Sequence, residues 1–125
     1  MNIRTRRWND PPAEDDGFRL LVCRYRPRGV AKADEQWDDW WHELGPSREL
    51  HAAFWGKNAK AITFDEYAPR YLSEMQGQIF RIRALAERAR AGETITLLCS
   101  SACTDPARCH RTLLAKVIAA TRGTR

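Results

Sequence analysis

No stretch of the chain approaches the ~20 consecutive apolar residues that a membrane-crossing helix needs, and this excludes such a helix. The N-terminal stretch, MNIRTRRWNDPP, is basic but has no apolar run behind it. It does not read as a secretory signal, so the expectation is a cytoplasmic protein without membrane attachment. Cysteine is scarce, with four in 125 residues, and uneven: Cys99, Cys103 and Cys109 cluster while Cys23 stands apart. A small secreted scaffold held by disulfides carries more cysteines, spread more evenly. Clustered thiols in a reducing compartment point instead to metal, catalysis or packing. There is no internal repeat and no low-complexity segment, and the length suits one domain spanning 1–125.

Lysine is also rare. All but four of the 21 basic residues are arginine, within a net charge of +5. Arginine is a rigid, permanently charged fork suited to phosphate and carboxylate. The charge is unevenly distributed: residues 33–50 hold six acidic residues against one basic, and the rest of the chain is basic. A mildly basic chain with one acidic stretch is compatible with an anionic partner. The charge alone does not mark a nucleic-acid binder.

The apolar pattern predicts an α/β fold. Phe18 to Cys23 is a short apolar run that reads as a buried parallel strand, stopped by Pro27 and Gly29. Residues 33–45 read as a helix, with Asp34 as cap and Trp37, Trp40, Trp41 and Leu44 at helical spacing. Gly45-Pro46 closes it, and Ser47 caps a second short helix, Arg48 to Trp55. Lys57 to Lys60 is a polar loop. Thr63 and Glu66 form a capping box. They open a long amphipathic stretch that runs to Gly92 and is expected to kink or break at Pro69. Glu93 to Cys99 is the clearest strand. Asp105-Pro106 starts a final helix reaching about Arg122. Helical crossovers between strands imply parallel pairing with right-handed connections. A third strand, from residues 1–8, is needed. The expected architecture is a small, mostly parallel sheet flanked by helices in two or three layers.

In open parallel sheets, ligands sit beyond the carboxyl ends of the strands. Two unusual segments fall there: Cys23 to Gly29 with its three arginines, and Cys99 to Arg111. If the two strands are neighbours, Arg24, Arg26 and Arg28 face Ser100, Ser101 and Cys103 across a cleft. The N-terminus of the last helix then adds its positive dipole end. Arg24, Arg28 and Arg111 are the anion-binding candidates. Cys99 is a candidate nucleophile, its thiolate favoured by nearby arginines, or else a small apolar residue ending a buried strand. His110 is a candidate proton shuttle, or a surface histidine bonded to backbone. Cys103 is the expected redox-sensitive thiol. The spacing C-x3-C-x5-C-H matches no common zinc finger. Adjacent Cys109 and His110 on a helix diverge by about 100°, so no metal and no cofactor is assigned. The tryptophans could stack on bases, but at helical spacing they read as core, with one of Trp40 and Trp41 at a rim.

These segments also carry a resemblance. Asp16-Gly17-Phe18-Arg19 with Leu21-Val22, Arg24, Pro27 to Val30 and Lys32 looks like the first block of the bacterial family of domain of unknown function 488, in particular its small YeaO-like branch. Trp41, Leu44, Pro46-Ser47, Leu50 and Phe54 resemble the second block, and Phe64 with Tyr71 the third. Leu97-Leu98-Cys99, Asp105-Pro106 and Cys109-His110-Arg111 are similar to its closing motif. The chain departs from that pattern at Cys23, where the family commonly has an acidic residue, and in the additional Cys103. The resemblance implies an α/β fold and an Arg/Cys/His site, with no assigned activity. Two functions follow as expectations. One is an enzyme acting on a phosphorylated or nucleotide-like ligand through Cys99 and His110. The alternative is a non-catalytic module for an anionic small molecule, nucleic acid or protein, with structural cysteines.

Overall fold

The computed structural model describes residues 2–57 and 59–121; the expectations touching Met1, Asn58 and Arg122 lie outside them. The strands are β1 (Ile3–Arg7), β2 (Phe18–Leu21), β3 (Asp39–Trp40) and β4 (Ile95–Cys99), and the helices are α1 (Arg48–Trp55), α2 (Phe64–Met75), α3 (Ile79–Arg90) and α4 (His110–Ala120). They form one parallel sheet in the order β1-β4-β2-β3. The third strand expected from the N-terminal residues is therefore present.

β4 is buried at every position. Its near-continuous apolar run, ITLLC, suits a central parallel strand covered on both faces. The one hydroxyl, Thr96, donates to the Asp16 carbonyl at 2.7 Å. Side chains alternate between faces. Leu20, Val22, Ile95 and Leu97 join Tyr71, Ile82, Leu85, Leu114 and Ile118 of the helices in the larger core cluster. Leu21 and Leu98 point the other way and pack with Trp37, Cys23, Cys99 and Cys109. The helices thus cover one face, and the segment around Trp37 covers part of the other. No helix among the described residues is long and apolar enough to cross a membrane.

Three expectations about elements are corrected. Residues 33–45 are not a helix but a 3-10 turn (Lys32–Asp34), the edge strand β3 and a second 3-10 turn (His42–Leu44). Sheet pairing outweighs the spacing of the tryptophans. The Asp38 amide donates to the Arg19 carbonyl at 2.7 Å and the Trp41 amide to the Leu21 carbonyl at 2.9 Å. Pro69 does not break α2, which continues to Met75; the break falls at the 3-10 turn Gln76–Gln78. Pro69 forfeits one backbone bond near the helix start; Gly77 and the non-helical Gln78 (φ −115°, ψ 23°) make the corner. Asp105 does act as a cap, but of a 3-10 turn over Pro106–Arg108, and α4 begins only at His110.

Candidate functional site

β2 and β4 are hydrogen-bonded neighbours with Leu21 opposite Leu98. The chain therefore leaves both strands side by side, and a cleft of about 630 Å³ opens there. The loop after β2, the loop after β4 and the first turn of α4 meet across it, with α1 contributing His51, Phe54 and Trp55. Arg24, Arg28, Cys99 and His110 all line this one cleft, whereas Arg111 is not among its lining residues.

His110 is the first residue of α4 and is 6% exposed. Its Nε2 lies 2.8 Å from the Val22 carbonyl oxygen. A carbonyl only accepts, so Nε2 carries the hydrogen of the neutral ring. Nδ1 then presents a lone pair 3.8 Å from Cys99 Sγ. Burial holds the His110 pKa below its ordinary value, against the opposing pull of the Val22 bond. This bond ties the start of α4 to the strand end of β2.

All four cysteines are free thiols. Cys99, 1% exposed, has its Sγ 3.1 Å from Cys103 Sγ and 3.3 Å from Cys109 Sγ. Cys109 reaches back because it is extended (φ −138°, ψ 141°), not helical. Cys23 belongs to the same cluster. Cys103, half-buried in the loop, is drawn well below the usual thiol range by sulfur contacts with Cys109 and Cys99, with Arg111 adding positive potential. Cys99 and Cys109 are pushed up, chiefly by Cys103 itself. One negative charge is thus favoured on the cluster, at its most open sulfur. Cys99, Cys103 and Cys109 are also the group whose sulfurs could jointly hold a metal ion.

The arginines divide by partner. Arg24 donates through Nε to the Pro46 carbonyl at 2.7 Å, and its Nη1 meets His42 Nδ1 at 3.3 Å. Arg26 pairs with Glu35 at 2.7 Å and lies over the Trp37 ring, so its charge is already matched. Arg28 and Arg108 are exposed on the cleft with no side-chain partner among the described residues. Arg111 is 5% exposed; its Nη2 donates to the Cys103 carbonyl at 3.3 Å, while Nε and Nη1 find no partner. Trp8, at the end of β1, and Arg108 are lining residues that the sequence reading missed. Arg108 sits beside the quoted closing motif and was a readable signal; Trp8 was not, because its place depends on β1 pairing with β4.

A family model described as the Active DUF488-N3 subclade matches residues 3–122. The chain belongs to the DUF488 family. It is 40% identical over 101 residues to the uncharacterized protein YeaO of Escherichia coli K12, covering 81% of this chain and 84% of YeaO. It is 30% identical over 116 residues to the uncharacterized protein Rv3073c of Mycobacterium tuberculosis H37Rv, covering 93% and 92% respectively. No solved structure matches. In this DUF488 chain, the closing motif supplies Cys99, Cys109 and His110 to the cleft. Cys23 and Cys103 fall in or against the same thiol cluster.

Proposed function

We propose that the cleft binds a small phosphorylated or nucleotide-like anion, with Arg24 and Arg28 at its rim and the Cys99–His110 pair at its floor. One observation carries this reading. The lining residues include Arg24, Arg26, Arg28, Lys57 and Arg108 and, among the described residues, not one carboxylate. Low-dielectric walls lined by one sign of charge concentrate the opposite sign. Trp8, Tyr25, Phe54 and Trp55 supply aromatic surface against which a base can stack. Arg28 and Arg108 have unspent donors for phosphate oxygens, and Arg24 is held in place by Pro46 and His42. At the floor, His110 Nδ1 faces Cys99 Sγ at 3.8 Å, which sets a neutral base against a thiol cluster whose negative charge is favoured at Cys103, the components that thiol nucleophiles use. The description of the matched subclade as active supports chemistry there rather than binding alone.

Titration of the protein with a nucleoside monophosphate, the matching nucleoside and inorganic pyrophosphate, read by tryptophan fluorescence, tests the proposal. The phosphorylated compounds are expected to quench Trp8 and Trp55 saturably, and the nucleoside far more weakly. Arg28→Ala removes a charge-assisted contact of about 1.5–3 kcal/mol, which weakens binding by roughly 10–100-fold. Absence of saturable quenching with every phosphorylated compound would refute the reading. Binding of an oligonucleotide but of no mononucleotide would replace it with the non-catalytic nucleic-acid module.

A further inference from the structure

We propose that Cys99, Cys103 and Cys109 form a binding site for one divalent thiophilic metal ion of the zinc class, with its fourth coordination position open to the cleft. The three sulfurs lie within 4.8 Å of one another, with Cys99 at 3.1 Å from Cys103 and 3.3 Å from Cys109. In a tetrahedral zinc thiolate with bonds of about 2.3 Å, neighbouring sulfurs stand about 3.8 Å apart. The Cys99 contacts must open by roughly 0.5–0.7 Å to reach that spacing, within the reach of side-chain torsions alone. All three cysteines line the cleft, so an ion has a way in. The group includes no fourth ligand among the described residues. His110 is held by the Val22 carbonyl through Nε2, and its Nδ1 faces Cys99. Three protein ligands with an open position is the pattern of a reactive zinc site, whereas a structural one is closed by four.

The charge around the cluster selects a divalent ion. Three thiolates and a 2+ ion carry a net −1, and a monovalent ion would leave −2. One buried cation stands beside the cluster. Arg111 reaches the Cys103 carbonyl with Nη2, and its Nε and Nη1 have no partner. The nearby Asp10 carboxylate feels Arg111 but is already paired with Arg7; the −1 of the metal-thiolate group adds a counter-charge on the cluster side. Uptake releases the thiol protons, since only the thiolate coordinates. The inference shares the cleft and Cys99 with the anion-binding reading, but its other ligands, Cys103 and Cys109, are its own.

The test is a cobalt(II) titration of the reduced, chelator-treated full chain, followed by zinc. The expected result is one ion per chain, a sulfur-to-cobalt charge-transfer band, and bleaching of that band by zinc. Cys103→Ser and Cys109→Ser each remove a ligand, and the loss exceeds the about 10–100-fold that outer-sphere partners cost. Arg111→Gln falls within that 10–100-fold range. Cys23→Ser leaves the titration unchanged. Cys103 is only half-buried, so its variant decides the matter even where Cys109→Ser does not fold. Absence of the band, or its survival in Cys103→Ser, overturns the site. So does protein that is two hydrogens lighter by mass when purified in air and takes up no ion after reduction. The band is read without nucleotide and the fluorescence titration without metal, so either reading can fail while the other stands.

Discussion

At the scale of single residues, Asp16, at 1% exposure, is a buried charge outside the cleft lining. Its Oδ2 accepts from the Ala13 amide at 3.0 Å and from Arg19, and Arg6 Nε lies 3.2 Å from Oδ1. Burial pushes this carboxyl up, but the Ala13 amide, Arg19 and Arg6 together pull it below the ordinary 3.8. The folded pKa is thus lower than the unfolded one. The stabilisation is complete above the unfolded value and is lost as pH falls through the folded one, below about pH 4. Asp16→Asn leaves Arg19 buried without its partner. It is expected to cost about 3 kcal/mol at pH 7 and to flatten the acid limb below pH 4. Urea unfolding of both proteins at pH 7 and pH 3 checks this; an equally steep acid loss in the variant would assign the pH dependence elsewhere.

At the scale of elements, Gly45 decides how the second 3-10 turn meets the cleft. A Cβ there would lie 2.4 Å from the Arg24 amide nitrogen and 2.9 Å from the Cys23 carbonyl carbon. Gly45→Ala must push the Cys23–Arg24 backbone away. The expected cost is about 2 kcal/mol of overpacking, seen as a lower urea midpoint, together with weaker nucleotide quenching because Arg24 shifts. Unchanged quenching would mean that Arg24 does not touch the ligand. The same region shows where sequence patterns run out. β2, β4, α1 and the buried stripe from Tyr67 to Ala89 were legible because period and capping act locally: Ser47 Oγ accepts from the Leu50 amide and Thr63 Oγ1 from the Glu66 amide. Residues 33–45 were not, because Trp37 and Trp40 answer to partners distant in the chain. Trp37 packs edge-on to Trp8, and Trp40 Nε1 donates to the Cys23 carbonyl at 2.8 Å. Their three- and four-residue spacing coincides with a helix, while the backbone pairs as an edge strand.

At the scale of the whole molecule, the site was half legible. Arg24, Arg28, Cys99 and His110 could be placed together because strand ends of a parallel sheet share one side. The thiol contacts could not, because they depend on the 3-10 turn at Pro106–Arg108 that leaves Cys109 extended and aimed at Cys99. Nor could the α1 wall, which depends on helix packing. The cleft draws on β4, α1, α2, α4 and the segments after β1 and β2, so a ligand that fills it holds the fold together. At about 100 times its Kd, a nucleoside monophosphate is expected to add about 2.7 kcal/mol, or roughly 10 °C in Tm for a chain of this length. Calorimetry with and without the ligand measures this, and a Tm that ignores a ligand shown to bind would place binding outside the cleft.

The sheet order has a consequence for synthesis. β4, the last of the four described strands in chain order, is the one inserted between β1 and β2. Until it emerges, the two earlier strands have no partner between them, and Phe18 to Leu21 waits with an open edge. β2 can pair with β3 as they emerge, but β1 joins the sheet only once β4 is made. The sheet stays dependent on residues 95–99, and a polypeptide interrupted before residue 95 carries apolar strand edges ready for aggregation or proteolysis.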